Sequence, residues 1–283
     1  MNNKKSNGQI VTPEEAMRKC FVSMSKNCLE LRPKLTYYGA LSGKLCLLTV
    51  LMITSASLYG IYDLSQYEGI IFTSLELLFF CILMYLIQWA LATRITALSN
   101  IVFNRKTQEC FAYFNNKKYI NDVNDVVISG GAKTMISMYR HDKNGMTINQ
   151  NIEIDDEWNV QQISNYIQEF IRSGHKNLPI PAECEWNDFA NVSISLSPYQ
   201  ALRHYAPWPF SGKIADPIEK MLKIYMWPIY TFIIFPINMI FSLLWYPFTK
   251  IFNIKPHPVP EEAYEGDDSI RVTPEMAARG IRP

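Results

Sequence analysis

The side chains that could perform chemistry are scattered along this chain. The histidines lie far apart, and the six cysteines form neither a CxxC pair nor a Cys/His cluster. One acidic run, Asp155–Glu157, comes directly before a predicted helix, where the helix dipole favours carboxylates without any catalytic role. No phosphate-binding loop or nucleophile motif is found. The sequence therefore predicts a protein that is not an enzyme and uses no cofactor or metal; its histidines are His141, His175, His204 and His257.

Two long apolar segments stand close together in the first third of the chain. Leu45–Tyr62 carries no charge, Gly69–Thr93 carries one, and only the short connector Asp63–Glu68 separates them. A helix needs roughly 20 mostly apolar residues to cross a bilayer, so residues 41–95 are predicted to form a transmembrane helical hairpin. The one charge is Glu76, for which two interpretations stay open. It is either a functional intramembrane acid or a side chain near the outer interface that pairs with hydroxyls of the first helix.

Charged residues around the hairpin predict its orientation. Lysine and arginine side chains precede and follow the hairpin, whereas the connector has none. Because positive residues stay on the cytoplasmic side, the N-terminus and the domain after the hairpin are predicted to be cytoplasmic. The formal net charge of +1 argues against nucleic acid as the main partner. The lipid bilayer is the partner that the sequence predicts most directly.

The portion outside the membrane is predicted to be an α+β domain at residues 96–175. Asn144-Gly145 is a strong hairpin signal, and helical spacing runs from Trp158 to a glycine cap at Gly174. Antiparallel strands closed by one helix fit a pleckstrin-homology-like half-barrel, and other β-then-α folds fit nearly as well. Residues 1–40 are predicted to contain a helix from Thr12 to Leu31. The predicted strands are Ile101–Phe103, Glu109–Phe114, Val123–Ser129, Thr134–Tyr139 and Met146–Ile154.

The last third of the chain contains a further apolar stretch, Ile224–Phe248, within residues 219–250. Prolines interrupt it, and lysines flank both of its ends. Two topologies stay open: a single membrane crossing, or a re-entrant or in-plane pair of half-helices bent at Pro236. The connector at residues 176–218 is rich in proline and aromatic residues, and its candidate partner-binding or membrane-interface residues are Tyr205, Trp208 and Phe210. The acidic tail at residues 251–283 is predicted to be flexible.

Three short motifs resemble a bacterial integral-membrane family of unknown function whose members are often encoded near type VI secretion loci. They are I-S-N-Y-I-Q-E-F-I-R-S-G at Ile163–Gly174, F-N-R-K-T at Phe103–Thr107, and Y-A-P-W-P-F at Tyr205–Phe210, followed by Ala215–Pro217. The resemblance covers about residues 40–250 and implies a double-spanning N-terminus, a β-rich domain and a location in the bacterial inner membrane. It supplies no catalytic residues.

Together these features predict a non-enzymatic inner-membrane protein whose cytoplasmic domain binds a partner protein. The resemblance implies a type VI secretion accessory role, or immunity against a toxin. The alternative is a membrane-permeabilising effector, in which Ile224–Phe248 and the hairpin insert into a target membrane.

Overall fold

The computed structural model describes residues 12–34, 47–56, 58–60, 78–80, 82–83, 85–87, 89–90, 95–131, 133–142, 144–155, 159–182, 197–211 and 217–283. The chain divides into two compact units. Unit 1 comprises Met1–Tyr37, Thr96–Phe189 and Pro256–Pro283, and unit 2 comprises Tyr38–Ile95 and Ala190–Lys255. Glu76 and the whole predicted hairpin connector, Asp63–Glu68, lie outside the described residues.

The larger sheet of unit 1 consists of β1 (Phe21–Met24), β2 (Cys28–Leu31), β3 (Ile101–Asn104), β4 (Glu109–Phe114) and β5 (Lys117–Asp122). These strands lie in sequence order, and each neighbouring pair is antiparallel. Strand β2 pairs with β3, although the whole predicted hairpin separates them in sequence. Unit 1 is therefore assembled from both sides of that hairpin.

The smaller sheet of unit 1 consists of β6 (Val127–Gly130), β7 (Thr134–His141) and β8 (Thr147–Asp155), again antiparallel. A short helix, α1 (Pro13–Met17), packs against the helix α2 (Val160–Ser173) that follows β8. The apolar face of α2 is buried in one core with side chains of the sheets, so the predicted amphipathic helix is confirmed. Short 3₁₀ turns lie at Val123–Asp125, Gly174–Asn177 and Glu261–Tyr264. This part of the chain is α+β with antiparallel sheets, as predicted.

The predicted helix from Thr12 to Leu31 is wrong beyond its first turns. The Thr12 cap and Pro13 start α1 as predicted, with Thr12 Oγ1 accepting from the Glu15 N–H at 3.2 Å. The chain then turns into β1 and β2. Met17, Phe21 and Met24 recur at a helix-like spacing, but all three side chains are fully buried in the core, and Phe21 and Met24 belong to β1.

A second difference concerns the strands around residue 120. After β4, Asn115 and Asn116 both adopt positive φ angles and complete a tight turn by themselves. Strand β5 therefore begins at Lys117. The predicted strand Val123–Ser129 is split between a 3₁₀ turn and β6.

The acidic tail is not a flexible appendage, which corrects the sequence-based prediction. Backbone hydrogen bonds join Met24 and Val272 in both directions, at 3.0 and 2.7 Å, and Val272 is fully buried. The His257 N–H donates to the Leu98 carbonyl, and the His257 ring stacks on Tyr113. A last helix, Pro274–Ala278, begins after Thr273. The tail is thus an integral part of unit 1.

Unit 2 contains helices α3 (Pro198–Tyr205), α4 (Pro217–Tyr225) and α5 (Trp227–Ile251) and, in its N-terminal part, the short apolar helices Leu47–Gly60 and Leu78–Ile87, which include residues outside the description. Helix α5 is continuous over 25 residues, so its prolines do not break it. Residues Tyr230–Ile234 adopt a π-helical turn directly before Pro236, which accommodates a residue with no N–H to donate. The pair of half-helices bent at Pro236 is therefore not found.

Candidate functional site: an outward-facing apolar surface

The three aromatic residues predicted as interface residues lie near the start of α5, but they have different roles. Tyr205 is only 4% exposed and packs with Ala201 against Phe235 and Met239, so it joins α3 to α5. Trp208 and Phe210 follow the end of α3 and are 46% and 77% exposed. The Trp227 indole N–H donates to the Trp208 carbonyl at 2.8 Å. This hydrogen bond holds the loop that contains Trp208 and Phe210 beside the first turn of α5.

A buried lysine contacts the end of α3, where the loop at residues 206–211 begins. Lys223 is fully buried, and its ammonium group donates to the His204 carbonyl at 2.6 Å. That carbonyl belongs to the last turn of α3, where helix carbonyls lack intrahelical partners and the dipole favours a cation. The ammonium also lies 5.3 Å from the centre of the Tyr230 ring. Lys223 therefore links the end of α3 to the π-helical turn of α5.

Helix α5 exposes a continuous apolar face, which we call the outer stripe. Its members recur every three or four residues, so they lie along one side of the helix. None of them carries a polar atom in its side chain. Only 17% of the most apolar window of this helix is buried, so α5 is not the core helix of unit 2. The outer stripe consists of Ile229, Ile233, Ile237, Ile240, Leu243, Pro247 and Ile251.

The small polar residues of α5 lie on the opposite side of the helix. Ser242 and Thr249 are buried, and Thr231 and Asn238 are half-buried. A helix on the surface of a water-soluble protein directs its polar residues outward and its apolar residues inward. Helix α5 has the reverse arrangement, which favours apolar surroundings for its outer stripe. The spacing Thr231, Asn238, Ser242 was visible in the sequence and would have predicted this face.

Basic and aromatic residues border both ends of the outer stripe. Arg203 and Lys220 are exposed near its start, and Lys250 and Lys255 are exposed near its end. The Lys250 ammonium lies 5.4 Å from the centre of the Tyr246 ring. Side chains of this kind are favoured where an apolar phase meets water and charged headgroups.

An apolar groove lies beside the end of α5. Its volume is about 480 Å³, and almost all of the surface that lines it is apolar. Leu47 and Ile95, from the N-terminal and C-terminal parts of the predicted hairpin, pack with Trp245, Phe248 and Ile254. The groove itself is lined by Ile82, Tyr85, Leu86, Trp89, Phe248 and Phe252.

Unit 1 offers a different kind of surface, the open edge of β8. Among the described residues, β8 has a strand neighbour on one side only. Its nine residues contain no lysine or proline, the residue types that commonly protect sheet edges. The buried Ile152 and Ile154 face the core, while Thr147, Asn149 and Asn151 are exposed. Such an edge can accept an additional strand.

Two of the motifs behind the family resemblance contact each other inside unit 1. The Arg105 guanidinium donates to the carbonyls of Ile171 and Arg172 at 3.4 and 3.5 Å, which caps the end of α2. Gly174 adopts φ +73°, and a Cβ atom there would lie 2.7 Å from the Arg105 guanidinium. The Asn104 amide donates to the tail carbonyls of Ala263 and Glu265 at 3.2 and 3.0 Å. These motifs therefore hold the fold together.

Ionisable groups of unit 1 also serve its packing. Asp155 is fully buried, 3.9 Å from the Lys19 ammonium, and accepts from the Asn159 amide at 3.3 Å. Burial alone would raise the pKa of Asp267, but hydrogen bonds from Ser25 and Ser269 hold that pKa below its ordinary value. Burial, reinforced by the Asp267 charge, raises the pKa of Cys28 to about 12, so its thiol stays protonated.

Among the side chains that the structure describes, no three His, Cys, Asp or Glu residues come together in a way that could hold a metal ion. His257 is stacked on Tyr113, and His141 Nδ1 lies 3.2 Å from Thr147 Oγ1. Of the sites considered, the outer stripe and the β8 edge are the two surfaces that suit a partner. In comparisons with known proteins, the chain matches no family model, no curated protein and no solved structure.

Proposed function

We propose that this chain is a membrane-anchored protein whose unit 1 binds a protein partner in the adjoining aqueous compartment. The observation that carries the proposal is the reversed arrangement of α5, with its outer stripe exposed and its polar residues turned inward. In water such a face costs free energy, on the order of 25 cal/mol per Å² of apolar surface. In lipid the same surface has no such cost, because acyl chains are equally apolar.

The predicted hairpin at residues 41–95 supplies the rest of the anchor. Parts of it form the apolar helices Leu47–Gly60 and Leu78–Ile87, whose described side chains include many exposed large apolar residues. The charge pattern places the ends of the hairpin in the cytoplasm. Unit 1 is then cytoplasmic, which suits its thiols Cys20, Cys28 and Cys110, all of them buried and reduced.

The β8 edge supports a role in partner binding. We propose that an extended segment of a partner adds to β8, with backbone hydrogen bonds supplying affinity and the exposed Asn149 and Asn151 supplying specificity. The family resemblance makes a type VI secretion component, or a toxin neutralised by this chain, the natural partner. That setting rests on the resemblance alone.

Proline substitutions in β8 test this function. Successive residues of an edge strand direct their N–H groups to opposite sides, one toward the neighbouring strand and the next toward the open edge. Of Asn149→Pro and Gln150→Pro, one variant therefore removes a donor to β7 and the other removes a donor that a partner strand would use. Both variants are purified in detergent together with the proteins encoded beside this chain. We expect the variant that keeps the wild-type unfolding temperature to lose the co-purifying partner. If that variant retains the partner, or if wild-type protein captures none of its encoded neighbours, the proposed function is wrong.

The alternative is a membrane-permeabilising effector, which the unbroken 25-residue helix α5 favours. An effector inserts α5 and the hairpin into the membrane of a target cell. Exporting the chain to the periplasm behind a cleavable signal, with a potential-sensitive dye in the medium, separates the two functions. Depolarisation would support the effector, whereas unchanged potential at matched expression supports the anchored binding protein.

A further inference from the structure

Three separate stretches of the chain build unit 1. Residues before the hairpin contribute β1 and β2, residues after it contribute β3 to β8, and the tail closes the unit. Polar contacts join the tail to the first stretch: the Lys26 N–H donates to Ser269 Oγ at 2.9 Å, and Ser25 donates to the Asp267 carboxylate. Lys118 of β5 pairs with Glu262 of the tail. These three stretches must occupy the same compartment, because they form one folded unit.

This shared compartment limits how often the chain crosses a membrane. The chain leaves unit 1 after Phe189 and rejoins it at Pro256, so the number of crossings between these points must be even. A crossing needs roughly 20 mostly apolar residues. Residues 190–226 contain no such run; they are interrupted by Arg203, Lys213, Asp216, Glu219, Lys220 and Lys223. If α5 crossed the membrane, no second segment would be available to bring the chain back to the side of unit 1.

We infer that α5 lies in the membrane leaflet that faces the compartment of unit 1, with both of its ends at the headgroups and its outer stripe in contact with acyl chains. The inference rests on the proposed membrane anchoring. At about 1.5 Å per residue, the 25 residues of α5 extend about 37 Å. One leaflet offers about half of a 30 Å hydrocarbon core, so α5 must run along the membrane.

Charge at the two ends of α5 agrees with this placement. Lys220 precedes the helix, and Lys250 and Lys255 lie at or beyond its end, all of them exposed. A single crossing would place one of these basic groups on the outer side, which positive residues avoid. With both ends on the inner side, all of them meet the anionic headgroups of one leaflet. The apolar groove beside Phe248 and Phe252 is then open to an acyl chain of the same leaflet.

Cysteine labelling in sealed inner-membrane vesicles tests the inference. Three variants place a thiol before α5 (Lys220→Cys), after it (Lys255→Cys) and in unit 1 (Lys117→Cys), at exposed positions. Each is treated with a membrane-impermeant maleimide from one side, and the labelling of the unsubstituted protein is subtracted as background. A membrane-permeant maleimide in a parallel reaction gives the total reactivity of each thiol, and preparations of opposite sidedness give the other face.

We expect all three thiols to be labelled from the same side, to a similar fraction of their total reactivity. Labelling of Lys220→Cys and Lys255→Cys from opposite sides would overturn the inference, because α5 would then cross the membrane. If the protein is not recovered with the vesicles at all, the proposed anchoring itself is contradicted. The amount of protein in the vesicle fraction distinguishes this outcome from a failure of the inference about α5. If a variant is recovered poorly, a chain with a C-terminal epitope tag and no cysteine substitution replaces it. Protease added to one side of the membrane and then to the other shows on which side the tag, and with it the tail, lies.

Discussion

Units 1 and 2 use the same apolar residue types in opposite arrangements. Ile120 of β5 and Ile240 of α5 are each 41% exposed. Around Ile120, the exposed neighbours on β5 are charged and the buried side chain of Tyr119 faces the core. Around Ile240, the exposed neighbours are apolar, and it is the polar Ser242 that is buried. Equal exposure of two isoleucines is therefore compatible with water at one site and, as we propose for α5, with lipid at the other; the neighbouring residues, more than the isoleucine itself, distinguish the two surroundings.

The largest difference between the two units is expected when a phenylalanine side chain is removed from each. Phe170 is fully buried in the core of unit 1, whereas Phe232 of α5 is 72% exposed. Phe170→Ala should lower the free energy of unfolding by about 3–5 kcal/mol, because a cavity replaces the ring. Phe232→Ala should change it by less than about 0.5 kcal/mol. Thermal unfolding in detergent, followed by circular dichroism, measures both; similar losses in the two variants would contradict the comparison.

Lysine substitutions at Ile120 and Ile240, the two isoleucines of equal exposure, test whether different surroundings cover them. Ile240→Lys places a charge on the outer stripe, at a cost of at most about 3 kcal/mol, the value for a lysine at the membrane centre. Ile120→Lys extends an already polar surface and should be neutral. The unfolding temperatures of both variants are compared in lipid nanodiscs. If Ile240→Lys is as well tolerated as Ile120→Lys, water and not lipid surrounds α5.

A smaller effect concerns the buried lysine that joins α3 to α5. Lys223→Met keeps much of the side-chain volume but leaves the His204 carbonyl without its 2.6 Å donor. The loss should be about 1–3 kcal/mol, as for other buried groups that lose a partner. Lys220→Met is the control, because Lys220 is exposed in the preceding turn of α4. Protease cleavage within residues 206–211 should increase in Lys223→Met and stay unchanged in Lys220→Met.

The smallest effect tests whether the tail belongs to unit 1. The pKa of Asp267 is lower in the folded chain than its ordinary value of 3.8. Its contribution to stability is therefore complete above that value and is lost as the pH falls through the lower, folded-state pKa. Pepsin cleavage of the tail should rise as the pH is lowered in that range. Asp267→Asn should remove this dependence, whereas Asp268→Asn, at an exposed neighbouring position, should keep it; a pH response shared by wild type and Asp267→Asn would contradict the assignment.

Much of unit 1 could be predicted from the sequence where one periodicity dominated. The stripe of α2, its Gly174 cap and the Asn144-Gly145 turn between β7 and β8 are found as expected. The N-terminal strands were missed because Thr12-Pro13 gives a genuine helix start, and nothing local shows that α1 ends after five residues. The strand that pairs with β2, β3, is more than 60 residues away in sequence.

The tail and the outer stripe were missed for different physical reasons. The acidic, proline-containing sequence Pro256–Asp268 suggests a mobile segment, but long-range bonds from Asn104 and Lys118 hold it in place. For α5, prolines suggested a break, whereas the π-helical turn before Pro236 lets the helix continue. The inference about the position of α5 in a membrane rests on a fact that no local pattern contains, namely that the tail folds together with β1. Of the candidate interface residues, Trp208 and Phe210 are exposed and Tyr205 is a packing residue, and the role of the two exposed residues in partner binding stays a prediction.

The central claim is that lipid surrounds the outer stripe and the hairpin. Alkaline carbonate extraction of membranes from cells that express the full chain, followed by ultracentrifugation, tests it most directly. We predict that the protein stays in the membrane pellet after carbonate treatment and enters the supernatant only when detergent is added. Recovery in the supernatant without detergent would contradict the account.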